Sequence, residues 1–114
     1  KSFLLFVLLL ASYLLDAQEL LIFGCGSTNK SHEVFLGCLN CSEYSSSSIW
    51  NKYGTYGSEY SSQSIWNSYG TYGSPYSDKS PFNKYADCLP AIVDEQGNFY
   101  GYLTPSVIYK YDPN

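Results

Sequence analysis

Apolar positions along the chain fall into three patterns. Ser2–Leu15 (SFLLFVLLLASYLL) is an uncharged, almost continuous apolar run behind a single basic residue, Lys1. Short apolar runs bounded by turn residues follow at Leu20–Phe23 and Glu33–Leu36, and again at Ala91–Val93, Asn98–Leu103 and Val107–Tyr111. Between these groups the aliphatics nearly vanish, and Ser, Gly, Tyr and Trp take over. The first pattern predicts the n- and h-regions of a signal peptide over residues 1–17, or a retained anchor helix. A spanning helix needs about 20 apolar residues, a length reached here only by running on to residue 23 through Asp16, Gln18 and Glu19. Lipidation at Cys25 is a third option, since Gly24-Cys25 ends like a lipobox. The short runs predict strands. Asp94-Glu95-Gln96-Gly97 between two of them predicts a hairpin with Gly97 at the tight position.

The middle of the chain is a tandem repeat. Residues 43–58 read EYSSSSIWNKYGTYGS and residues 59–74 read EYSSQSIWNSYGTYGS, differing only at Ser47/Gln63 and Lys52/Ser68. A degenerate copy, PYSDKSPFNKYADCLP, occupies residues 75–90 and places Phe82 where Trp50 and Trp66 stand. Sixteen residues are too few for a helix–turn–helix unit, and Gly54, Gly57, Gly70 and Gly73 would break a helix. Ser-x-Ser-Ile-Trp-Asn is expected as a short strand and Tyr-Gly-Thr-Tyr-Gly-Ser as a turn. The predicted architecture for residues 18–114 is therefore all-β: a short repeat stack, β-solenoid-like or a meander, capped by the flanking β-hairpins. Equivalent residues would form ladders: Tyr44/Tyr60/Tyr76, Trp50/Trp66/Phe82 and Asn51/Asn67/Asn83. Pro81 would end the ladder at an edge.

Cys25, Cys38, Cys41 and Cys88 form an even set behind an export-type segment, which reads as two disulfides. Three pairings are open; a bond from Cys38 or Cys41 to Cys88 is expected, tying the front of the domain to the end of the repeats. Cys38-Leu39-Asn40-Cys41 also has CxxC spacing, but no second CxxC completes a zinc pair and no His follows to make a haem site. No metal and no cofactor are predicted.

Charge narrows the partners. The chain has six Lys and no Arg, a net charge of −4 and only 14% charged residues, which argues against nucleic acid. No nucleophile elbow, phosphate loop or dinucleotide fingerprint is present. His32 is the sole histidine and is expected as an ordinary surface residue of a polar loop. Glu43 and Glu59 recur for structural reasons rather than as a glycosidase pair. Asp94-Glu95 could touch Ca²⁺ but are explained by the hairpin turn. Asn29-Lys30-Ser31 and Asn40-Cys41-Ser42 are glycosylation sequons, meaningful in a eukaryotic host.

The segment Phe35-Leu36-Gly37-Cys38-Leu39-Asn40-Cys41-Ser42-Glu43-Tyr44, the Ser-Ile-Trp-Asn-x-Tyr-Gly-Thr-Tyr-Gly-Ser units and the closing Val93-Asp94-Glu95-Gln96-Gly97-Asn98-Phe99-Tyr100-Gly101 together resemble an uncharacterised module of exported bacterial proteins. Such modules are sometimes attached to secreted thermonuclease-type enzymes. The resemblance spans about residues 20–104 and implies export and modularity, not a mechanism.

The expected function is a non-catalytic binding or adhesion module, secreted, periplasmic or on the cell surface. Trp50, Trp66, Tyr44, Tyr60, Tyr53 and Tyr69 are its candidate ligand-binding residues, with an envelope polysaccharide as partner. The other expectation is a structural subunit of an extracellular filament or membrane-associated complex, bound to another protein subunit through strand edges and Tyr-rich contacts, with residues 1–23 as a membrane tether.

Overall fold

A computed structural model describes residues 18–26 and 31–114. The expected signal or anchor over residues 1–17, and Asn29 and Lys30 of the first sequon, lie outside the described residues. Among the described residues no helix is long and apolar enough to cross a membrane.

Among the described residues the chain is all-β apart from one short helix. Strands β1 (Leu21–Cys25), β2 (His32–Cys38), β3 (Ala91–Val93) and β4 (Phe99–Tyr102) form one antiparallel sheet in the order β2-β1-β3-β4. Alternation decides the buried face: Ile22 on β1 sits opposite Ile92 on β3, and both are buried. Phe23 pairs with Phe35 across β1 and β2, with ring centroids 5.4 Å apart.

The β3–β4 hairpin turns as its sequence predicts. Gly97 takes a φ of +86°, which a side chain would strain, and its N–H donates to the Asp94 carbonyl at 3.0 Å. The Asp94 carboxylate organises the turn. Oδ1 accepts from the Gln96 and Asn98 N–H groups, both at 2.9 Å; Oδ2 accepts from Asn98 Nδ2 at 2.9 Å and the Tyr100 hydroxyl at 2.8 Å.

Two flanking expectations are corrected. The hairpins do not cap opposite ends of the repeats: they join in one sheet that reaches all three 16-residue units. Phe35 lies edge-on to Tyr56 of the first unit, with centroids 4.9 Å apart. The Tyr72 hydroxyl of the second donates to the Cys25 carbonyl at 2.7 Å. Cys25 is bonded to Cys88 of the third. The segment Val107–Tyr111, expected as a strand, belongs instead to a helix, α1 (Pro105–Lys110). Thr104 caps it by accepting from the Val107 N–H, and Pro105 supplies a helical φ in the first turn; the Thr-Pro start outweighs the β-propensity of Val and Ile.

The disulfide expectation is also corrected. The bonds are Cys25–Cys88 and Cys38–Cys41, with sequence separations of 63 and 3. The sheet sets this pairing, because β1 carries Cys25 to the chain leaving the third unit. In the chain-entropy picture the long loop stabilises by about 4 kcal/mol and the short one by about 2 kcal/mol.

The repeats contain no strand. Ser48 makes an isolated parallel bridge to Cys38, and Ser-x-Ser-Ile-Trp-Asn, expected to be extended, is turned in both copies. The backbone bends every three residues. Ser45 N–H donates to Ser42 O, Ser48 to Ser45, Asn51 to Ser48 and Gly54 to Asn51, at 3.0–3.3 Å; a four-residue step, Ser58 N–H to Gly54 O, completes the 16-residue period. The second unit repeats this from Ser58 to Ser74, and the third runs on to Ala86.

Each three-residue bend begins at Ser or Asn, and the side-chain oxygen accepts the N–H two residues on. Ser48 serves Trp50, Asn51 serves Tyr53, Ser64 serves Trp66, Asn67 serves Tyr69, Ser80 serves Phe82 and Asn83 serves Tyr85, all at 3.0–3.1 Å. These local bonds favour turns over extended backbone and override the β-propensity of Ile and Trp. Ile49 and Ile65 point inward and join Ile22, Leu36, Leu39, Ile92, Leu103 and Ile108 in one core.

Burial of Asp94 opposes its ionisation, but the hydrogen bonds from Asn98, Tyr100 and Gln96 outweigh that and lower its pKa from 3.8 to about 2. A lowered folded pKa gives stability that is present above pH 3.8 and lost as pH falls through 2. Thermal melts of the wild type should therefore drop in midpoint over this window. Asp94→Asn should start lower and lose the part of the drop that Asp94 contributes; an identical drop in both proteins would refute this role.

Candidate aromatic surface

The three-residue bends sort the aromatic side chains. Within each unit the positions at the ends of successive bends point in different directions, so tyrosine and tryptophan alternate between inside and outside.

Trp50 and Trp66 face inward. Both are half-buried and packed against the core. Trp50 Nε1–H donates to the Leu39 carbonyl at 2.8 Å, and Trp66 Nε1–H to the Ile49 carbonyl of the preceding unit at 2.6 Å. The Trp50 and Trp66 rings are 5.6 Å apart, and Trp66 and Phe82 are 5.8 Å apart, both tilted. One aromatic position in all three units thus forms a continuous row of ring contacts, with both indole N–H groups committed to backbone.

Tyr56 and Tyr72 also face inward. Tyr72 is buried, and burial raises the pKa of its phenol. Gly24 on β1 makes room for it: a Cβ there would come within 2.8 Å of the Tyr72 ring. Nothing in the repeat pattern distinguishes Tyr56 and Tyr72 from their outward neighbours; only the sheet laid against them does.

The remaining tyrosines of the three repeat units face solvent. Tyr53 is 100% and Tyr69 98% exposed, and Tyr85 continues the series in the third unit. Tyr44, Tyr60 and Tyr76 form a second exposed set at equivalent positions. Glu59 accepts a hydrogen bond from the Tyr60 hydroxyl, and this bond, with the nearby negative charge, raises the Tyr60 pKa.

Of the six expected binding residues, Trp50, Trp66 and Tyr60 meet in one place. They line an open groove of about 600 Å³ together with Lys52, Glu59 and Asp112. Tyr44, Tyr53 and Tyr69 lie on open surface away from that groove. Lys52 stands at one of the two positions where the first two units differ.

The asparagines of the repeat are fully engaged. Nδ2 of Asn51, Asn67 and Asn83 donates to the carbonyl six residues back, at 3.0, 3.1 and 2.9 Å. Asn40 of the second sequon is engaged too: Oδ1 accepts from the Leu20 N–H at 2.8 Å and Nδ2 donates to the Gln18 carbonyl at 2.9 Å.

His32 departs from expectation. It is the first residue of β2 and half-buried, with Nε2 2.8 Å from the Leu89 carbonyl oxygen. No sequence signal marked this placement, because Leu89 is distant in the chain.

The inward and outward sets should separate in stability measurements. Trp66→Ala should lower urea-unfolding stability by about 3–5 kcal/mol, whereas Tyr69→Ser should change it by less than about 0.5 kcal/mol. Equal losses would contradict the sorting. Comparison of the chain with protein-family models, curated proteins and solved structures finds no match.

Proposed function

We propose that residues 18–114 form an exported, non-catalytic binding module of the cell envelope, whose units wind as a short stack of turns and contact a polysaccharide through exposed tyrosines. The observation that carries this reading is the set Tyr53, Tyr69 and Tyr85, together with Tyr44, Tyr60 and Tyr76: six fully offered rings recurring at a 16-residue spacing. A large apolar side chain left in water is ordinary when single, whereas a set recurring at one interval calls for an interaction surface. Tyr suits such a surface, being rigid, apolar on its faces and able to hydrogen bond at its tip. Rings at a fixed interval suit a partner that itself repeats.

The tryptophans enter this reading differently from the tyrosines. With their N–H groups bound to backbone and their rings in contact across units, Trp50 and Trp66 hold the tyrosines in position and line the groove as half-buried rings. The two disulfides are compatible with an oxidising compartment. Attachment of such a module to a secreted enzyme, as in the exported proteins it resembles, would serve to hold that enzyme at the envelope.

A second reading, a structural subunit, is favoured by one feature. β4 pairs only with β3 among the described strands, and its Phe99, Tyr100 and Tyr102 are exposed. An open edge with aromatic side chains can accept another strand.

Retention of the chain on peptidoglycan and common polysaccharides tests the first reading. The wild type should be retained, and Tyr53→Ser/Tyr69→Ser/Tyr85→Ser should be retained at least about tenfold less with unchanged unfolding, given about 0.5–1.5 kcal/mol for each of the three aromatic contacts. Absence of retention on every polymer would overturn it. Concentration-dependent sedimentation would then support the subunit reading.

A further inference from the structure

The Cys25–Cys88 disulfide has an imidazole set against it. Cys25 ends β1 and His32 begins β2, and the two are cross-strand partners. The chain leaving the third unit brings in Cys88, whose N–H donates to the Asp78 carbonyl at 2.9 Å. His32 Nε2 lies 3.7 Å from Cys25 Sγ and 3.7 Å from Cys88 Sγ.

These distances match a metal polyhedron. Tetrahedral zinc, with Zn–S of about 2.3 Å and Zn–N of about 2.0–2.1 Å, sets sulfur and nitrogen ligands about 3.5–3.6 Å apart. The nitrogen therefore already stands at ligand-edge distance from both sulfurs. Only the sulfurs must separate, to about 3.8 Å in the same geometry. Their Cα atoms, 6.3 Å apart, leave room for that. A cavity of about 400 Å³ lined by His32, Asp87, Cys88 and Tyr102 opens on the cluster and gives a water access to a fourth position.

We propose that reduction of Cys25–Cys88 converts this cluster into a zinc site formed by two thiolates, His32 Nε2 and a water from the cavity. A dithiol or phosphine reductant supplies two electrons; the S–S bond breaks, each sulfur takes a proton, and the reductant is oxidised. Zn²⁺ then displaces both thiol protons. Nε2 turns its lone pair to the metal, giving up its contact with the Leu89 carbonyl, and the imidazole proton resides on Nδ1. The sheet stays tied to the end of the repeats in either state, by a covalent bond or by a metal. The other clustered set, Glu19 with Cys38 and Cys41, offers an exposed carboxylate in place of an imidazole, and the test removes its two cysteines so that it cannot take up the ion.

The test uses the full chain carrying Cys38→Ala/Cys41→Ala, reduced anaerobically with a phosphine and titrated with Co²⁺ and then Zn²⁺. The site requires one Co²⁺ per chain with thiolate charge-transfer and tetrahedral d–d bands, displaced by one equivalent of Zn²⁺. Adding His32→Ala should weaken binding by at least 10- to 100-fold, the loss typical of a group that only supports a ligand. Adding Cys88→Ser should abolish the spectrum. Absence of tetrahedral thiolate bands, or equal affinity in the His32→Ala protein, overturns the proposal. If the reduced, metal-free chain unfolds, Zn²⁺ must restore its near-UV circular dichroism; failure to do so overturns it as well.

Discussion

Everything in the middle of this molecule depends on one requirement: backbone N–H groups must find acceptors where there are no strands to supply them. Ser, Asn and Gly at every third position meet it. A Ser or Asn oxygen accepts the N–H two residues on while the next bend closes through backbone. Asn does more than Ser, because its amide also donates back to the residue that starts the bend two before its own. It stands where the chain makes its closest self-approach. A Cβ on Gly57 would lie 2.0 Å from the Asn51 carbonyl oxygen, and one on Gly73 2.2 Å from that of Asn67, so only glycine fits.

Direction follows from that constraint. Once each bend is fixed by its first residue, the other two positions are placed around the chain without further choice. Ile49 and Ile65 fall inside, Trp50 and Trp66 meet at the margin of the core, and Tyr53 and Tyr69 fall outside. The sheet then decides the remaining ambiguity by covering Tyr56 and Tyr72 and leaving the other repeat tyrosines in water. The proposed binding surface is thus a by-product of turn chemistry, and its spacing is inherited from the repeat.

Local sequence carried much of the flanking architecture. The runs around Phe23, Leu36, Ile92 and Phe99 become strands because they are short, apolar and bracketed by turn residues, and Asp94 to Gly97 becomes the hairpin turn that its composition announces. The rings of Trp50, Trp66 and Phe82 meet, as their equivalence in the repeat suggests. Other features depended on contacts far apart in the chain. Cys25 finds Cys88 because β1 pairs with β3, and His32 reaches Leu89 for the same reason. The bends were hidden differently. A period of three lies inside the period of sixteen, and Ile and Trp beside the turn-forming Ser drew attention to strand propensity instead. Thr104-Pro105 is the local signal for α1, and it prevails over the strand propensity of the Val and Ile that follow.

The most direct measurement of the turn account compares Asn67→Ala with Ser68→Ala by native-state amide exchange and urea unfolding. Asn67 holds two hydrogen bonds within its unit, whereas the neighbouring Ser68 is exposed. The account predicts a loss of about 2–3 kcal/mol for Asn67→Ala, with lost protection at the Tyr69 amide and little change for Ser68→Ala. Equal stability of the two variants, with the Tyr69 amide still protected, would contradict it.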